Sequence, residues 1–193
     1  MANASQTEPD HLKSLIEEIA EFKAILCKEA RNKYGKAVVK AAIEKRYCVA
    51  TPTPLGEALS LAHKGRKTTG LKGSYKPSPG AVANALAMRS VISNFVISGY
   101  EVVRIERKLA VEVRGEQGSF IAIARYTGYD HATIRRVFDE LILGQYAPEL
   151  RVYVGEDKIE SLSRMVWPKS TVKRTHMTPE RLKILAVPIY SKK

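Results

Sequence analysis

The run Thr51-Pro52-Thr53-Pro54 most restricts the folds open to this chain. Each proline disfavours helix at the residue before it and has no N–H to donate, so no helix runs through this point. What precedes the run reads as helical. Leu12, Leu15, Ile16, Ile19, Phe22 and Leu26 recur at spacings of three and four, with Glu17, Glu18, Glu21 and Lys23 between them. That pattern predicts one amphipathic helix from Asp10 to about Arg31. Its stripe is close to heptad spacing, which makes it a candidate dimer seam and equally a face that packs on its own domain. A second helical piece follows Gly35, burying Val38, Val39, Ala42 and Ile43.

Beyond the break, a short helix is predicted from Leu55 to His63. The stretch from Lys64 to Pro77 is basic and glycine-rich, and reads as an exposed arm that orders on phosphates. Ser78-Pro79-Gly80 is a helix start, with serine as cap and proline at the first helical position. The helix continues through Ala81 to Ser98, and Gly99 terminates it. Residues 100–114 alternate as a β-hairpin around Glu106-Arg107-Lys108. The expected layout is a loose tail at 1–9, a helical region at 10–50, a basic linker at 51–77 and a DNA-binding domain at 78–193.

The charge is uneven. The net is +12; residues 1–30 carry 3 basic and 6 acidic groups, and residues 31–114 carry 16 and 5. Such a block is the footprint of a polyanion partner, because each neutralised phosphate releases counterions. Cys27 and Cys48 have no Cys or His at metal-ligand spacing, and His11, His63, His131 and His176 are scattered. No metal site and no cofactor is therefore expected, and both thiols are expected to be reduced. Residues 1–10 lack the charged-then-apolar order of a signal peptide, and no apolar run is expected to be long enough to span a bilayer. A cytoplasmic, nucleoid-associated location is expected.

The strongest local motif runs from Phe120 to Leu141. Ala124 is small where two helices would cross, Gly128 suits a turn at positive φ, and Ile134 and Val137 supply an apolar stripe, which Ile123 and Leu141 extend. Asp130 or Thr133 would cap the second helix. These 22 residues resemble the helix-turn-helix of bacterial and phage DNA-binding regulators. The resemblance implies that the second helix enters the major groove. It makes Arg135 and Arg136 candidates for base or phosphate contact, with Tyr129, His131 and Thr133 beside them and Arg125 on the backbone. A strand at Leu150–Val154 would pair with the hairpin at 100–114 as a wing. The fold expected is α+β, mainly helical, winged-helix-like, with an N-terminal amphipathic helix.

Lys64, Arg66, Lys67 and Lys72 of the arm, and Arg104, Arg107 and Lys108 of the hairpin, would add phosphate contacts. The function expected is sequence-selective binding of double-stranded DNA without catalysis, as a transcriptional regulator or a plasmid or phage replication or partition factor. A Mg-dependent nuclease is the main alternative, because Glu101 and the Glu106-x-Lys108 triplet loosely resemble a restriction-type core. RNA binding is a third; it would use Tyr126, Tyr129 or Tyr153 to stack bases.

Overall fold

The computed structural model describes residues 8–71, 76–105, 110–116, 118–143, 147–166 and 177–188. The chain is α+β, with seven α-helices and two sheets among the described residues. It divides into two compact units, Met1–Leu86 and Ala87–Lys193.

The first unit opens with α1 (Glu8–Phe22). The predicted single helix to Arg31 is in fact broken, because Lys23 takes a positive φ of 68° and turns the chain out of the helix. A two-residue strand, β1 (Ile25–Leu26), follows, then α2 (Cys27–Tyr34) and α3 (Lys36–Glu44). Gly35 alone separates these helices, at φ 92°. Arg46 closes α3 at φ 59°, where Tyr47 N–H reaches back to the Ala42 carbonyl at 2.9 Å. That return bond satisfies a carbonyl the helix end would otherwise leave open.

Next come β2 (Cys48–Thr53) and β3 (Gly56–Leu61), antiparallel, with Cys48 opposite Leu61 and Thr53 opposite Gly56. The sheet order is β1-β3-β2, so β2 is an edge. An edge tolerates Pro52, whose missing N–H costs no ladder bond on the open side. The proline run thus lies in a strand and its turn, not in a linker. The helix expected at 55–63 is a strand for a related reason. β3 is central, so Ala58, Leu59, Ser60 and Leu61 are all buried and the run shows no alternation to read. Leu15, Ile19, Ala30, Val39 and Leu59 form the middle of this unit's core. Each large aliphatic side chain so buried contributes about 1.5–3 kcal/mol.

α4 (His63–Thr68) is a short helix where a mobile arm was expected. It lies so close to the sheet that a Cβ on Gly65 would stand 2.2 Å from the Tyr47 carbonyl oxygen. α5 (Pro79–Ile97) starts as expected, with Ala81 N–H donating to Ser78 Oγ at 3.2 Å. It ends as expected at Gly99, at φ 83°. This 19-residue helix, of mean hydropathy 1.3, is long and apolar enough to cross a membrane, a run the sequence reading had not credited. Its Val82 and Leu86 pack in a core cluster of the first unit with Ala24 and Ala58, and Ala87, Val91 and Phe95 belong to a core of the second.

In the second unit β4 (Glu101–Arg104) and β5 (Val111–Gly115) form the expected hairpin. β6 (Gly118–Arg125) extends it antiparallel. α6 (His131–Phe138) runs on into a π-helical turn, Asp139–Leu143. β7 (Leu150–Val154), α7 (Glu156–Val166) and β8 (Leu182–Ala186) complete the unit. The sheet order is β4-β5-β6-β7-β8, with β7 and β8 parallel to β6. Leu150–Val154 therefore pairs with β6 and β8, not with the hairpin it was expected to join.

The helix-turn-helix expected at 120–141 is absent, because its first member is strand β6. Strand alternation explains the composition. Ile121 and Ile123 face one core, with Ile134, Phe138 and Leu141. Phe120, Ala122 and Ala124 face the other, with Val91 and Phe95 of α5. Ala124 is small to fit beneath α5, not to let two helices cross.

Candidate nucleic-acid interface

Two places carry cations next to a glycine-hinged helix. The first is α2–Gly35–α3. Between Cys27 and Arg46 the chain holds Lys28, Arg31, Lys33, Lys36, Lys40, Lys45 and Arg46 against only Glu29 and Glu44. α2 buries Cys27, Ala30 and Tyr34, and α3 buries Val38, Val39 and Ala42. The remaining positions face out. On α3 the exposed positions are Lys36, Ala37 and Lys40 in the first half of the helix and Ile43 and Glu44 at its end; Ile43, expected in the core, is 36% exposed. Lys36 and Lys40 are one turn apart and so share a face.

Ion pairs sort these cations. Lys33 bonds Glu18 of α1 at 3.0 Å, and Glu18 also accepts from the Tyr34 hydroxyl. Arg31 reaches Glu57 of β3 at 3.4 Å. These two brace α2 against its neighbours. Lys40 lies 3.7 Å from Glu44, an exposed pair worth little. Lys28 and Lys36 make no ion pair among the described residues. The β2–β3 hairpin follows directly. Its turn is pinned by Thr53, whose Oγ1 accepts from Leu55 N–H at 3.2 Å and donates to the Gly56 carbonyl at 2.6 Å.

Cys27 and Cys48 are both free and buried, the first at the start of α2 and the second at the start of β2. Burial pushes each thiol up to about 12, and for Cys27 a hydrogen bond with Glu57 adds to it. A thiol so far above neutrality is a packing group, not a nucleophile.

The second place is the β6–α6 corner, where the sequence had put the site. Gly128, at φ 86°, makes the expected tight turn. Asp130 caps α6: Oδ1 accepts from Thr133 N–H at 2.8 Å and Oδ2 from the Thr133 hydroxyl at 2.7 Å. The Thr133 hydroxyl, first, and then its N–H hold the Asp130 carboxyl below its usual range. Thr133 is thus committed to the cap, and the helix start carries a carboxylate where a phosphate would have to sit. Tyr129 packs into the core, and burial raises its phenol above the ordinary value; the Arg125 guanidinium lies 5.8 Å from its ring. Arg125, His131 and Arg136 are exposed and Arg135 is half-buried. These residues do share one corner, but on a strand-to-helix turn.

Of the expected arm, Lys64 and Lys67 are exposed on α4 and Arg66 is half-buried. The Lys64 ammonium stands 4.3 Å over the Tyr47 ring. Arg104 is exposed at the end of β4. Lys72, Arg107, Lys108 and Glu106 lie outside the described residues.

Of the residues named for the nuclease reading only Glu101 is described, and it faces Arg114 at 4.0 Å, an arginine that Glu112 also holds at 2.7 Å. The adjoining strand offers only Ser119 and Ile121 beside them. Among the described residues no three His, Cys, Asp or Glu side chains come together as metal ligands. The tyrosines named for base stacking are half-buried (Tyr126, Tyr129) or buried (Tyr153), so they form no open platform.

The residues the sequence reading missed are Lys28, Asn32, Lys36, Ala37 and Lys40. Their signal was Gly35 between two short helical periods, followed by two β runs about Pro54-Leu55-Gly56. No family model, curated protein or solved structure matches this chain.

Proposed function

We propose that the chain binds double-stranded DNA through its first unit, which acts as a winged helix with α3 as the recognition helix and the β2–β3 hairpin as the wing. The observation that carries this reading is the pairing of an element order with a charge pattern. A helix hinged by one glycine to its predecessor is followed at once by an antiparallel hairpin, and its outward face holds Lys36, Ala37 and Lys40. An α-helix with its side chains is about 10–12 Å across, which matches the B-form major groove. Lys36 and Lys40 reach phosphates or guanine edges, and the Ala37 methyl suits a thymine methyl. Lys28 and Asn32 of α2 lie at the backbone, as the first helix of such a pair does. Sequence selectivity rests on the α3 face. Duplex RNA is disfavoured, because its major groove is too deep and narrow for a helix.

The test is fluorescence anisotropy with duplexes selected from a random pool, titrated over a range of salt. Wild type should show a steep negative slope of log affinity against log salt. Lys36→Ala/Lys40→Ala should flatten that slope by about 2, one for each lost phosphate contact. An unchanged slope and affinity in the double variant removes α3 from the interface.

A further inference from the structure

The end of α3 and the length of α4 carry a second cationic surface, apart from the face that holds Lys36 and Lys40. From Lys45 to Thr69 the chain has Lys45, Arg46, Lys64, Arg66 and Lys67 against a single carboxylate, Glu57. Glu57 stands at the far end of β3 from α4 and is paired with Arg31. Lys45, Arg46, Lys64 and Lys67 are all exposed, and none of the four makes an ion pair among the described residues.

Tyr47 brings the two segments together. It follows Lys45 and Arg46 directly, and its carbonyl accepts from Ala62 N–H at 2.9 Å. Gly65 lets α4 settle on that same carbonyl, where any Cβ would stand at 2.2 Å. The Lys64 ammonium lies 4.3 Å over the Tyr47 ring, and Lys67, three residues on, shares its face of α4. Like charges drawn together without a carboxylate repel one another, and an anion laid across them removes that cost.

We propose that Lys45, Arg46, Lys64 and Lys67 form a clamp for the sugar-phosphate strand that walls the groove entered by α3. The inference rests on the DNA reading and adds a second, sequence-independent contact to it. The spacing carries it. From Lys36 to Lys45 the helix axis advances about 14 Å, and the B-form major groove is about 12 Å wide. A helix whose first turn stands over base edges therefore brings its last residues to the backbone beside the groove. There α4 extends the cationic track along the strand. Gly65 is the positioning residue, because it sets how closely α4 approaches Tyr47.

The test is fluorescence anisotropy of the full chain on the selected duplex and on a scrambled one, over a range of salt. Wild type is compared with Lys45→Ala/Lys64→Ala/Lys67→Ala, with Lys45→Arg/Lys64→Arg/Lys67→Arg and with Lys36→Ala/Lys40→Ala. Arg46 is kept because it closes α3 at φ 59°, and far-UV circular dichroism checks that each variant folds. The alanine triple should flatten the slope of log affinity against log salt by about 3 on both duplexes. Its ratio of affinities for the two duplexes should stay within about three-fold of wild type, because phosphate contacts carry no sequence information. The arginine triple should keep the wild-type slope. Lys36→Ala/Lys40→Ala should instead collapse the ratio. An alanine triple with the wild-type slope overturns the clamp, and so does one that loses the ratio as well; the α3 reading then stands or falls separately on the Lys36→Ala/Lys40→Ala result. A wild type that binds neither duplex overturns both.

Discussion

The chain contains two helices that begin beside a glycine at positive φ, and they differ in what comes before. Gly35 sits at φ 92° and Gly128 at φ 86°. Each is followed by a helix of eight or nine residues with an apolar inner stripe and outward cations. Ahead of Gly35 the chain reads Cys27-Lys-Glu-Ala-Arg-Asn-Lys-Tyr34, where the buried residues fall three and four apart. Ahead of Gly128 it reads Phe120-Ile-Ala-Ile-Ala124, five buried residues in a row. A surface helix must show polar residues every turn. A strand between two packed faces need show none. The helix starts differ as well. Asp130 puts a bonded carboxylate at the head of α6, whereas the head of α3 carries Lys36. Of the two, only the first region starts its helix on a cation, as the proposed groove-reading role requires.

The largest effect should come from Ile123→Lys. In β6 this side chain is buried between Ile121, Ile134 and Val152, so an unpartnered ammonium there should cost several kcal/mol, about 4 or more. Urea denaturation measures it. A change under about 1 kcal/mol would mean that 118–125 is a surface segment after all.

Next, the two cationic regions should separate in DNA affinity. Lys36→Ala/Lys40→Ala should weaken binding by roughly thirty-fold or more at moderate salt. Arg135→Ala/Arg136→Ala should stay within about three-fold, since those residues supply only general charge. Anisotropy on the same duplex compares them directly, and equal losses would erase the contrast.

Gly65→Ala sharpens the comparison by loosening the first unit alone. A methyl 2.2 Å from the Tyr47 carbonyl forces α4 off the sheet, at a cost of about 1–3 kcal/mol. Hydrogen exchange should speed up in β2, β3 and α4 and stay unchanged in β6 and β7.

The smallest effect is at the α6 cap. Asp130 has its carboxyl held below the unfolded value, so the cap stabilises fully at pH above about 4 and is lost as pH falls through the unfolded and then the folded value. Asp130→Ala should therefore lower Tm slightly at neutral pH, and the gap should close in acid. A gap that persists at low pH would mean the carboxylate is not what caps this helix.

Where local chemistry decides structure, the sequence was legible. Ser78, Pro79 and Gly99 bound α5 as read, alternation found β4 and β5, and Gly35 marked the start of α3. Three features hid the rest. A lysine in the left-handed region at Lys23 breaks the first helix with no glycine to announce it. Pro52 on an edge strand looks the same as Pro52 in a linker. β3 and β6 are buried on both faces, so period cannot separate them from buried helix. The last point placed the expected interface at 120–141 rather than at 28–46, where we propose it. The same cations were visible throughout, but their placement depended on which neighbouring segment was a helix.

The most direct test is an amide chemical-shift titration of the full chain with its selected duplex. The account predicts the largest perturbations in Lys28–Arg46 and in the hairpin tip around Thr53–Glu57, with Arg125–Arg136 little changed. Perturbations concentrated at Arg125–Arg136, with α3 silent, would contradict it.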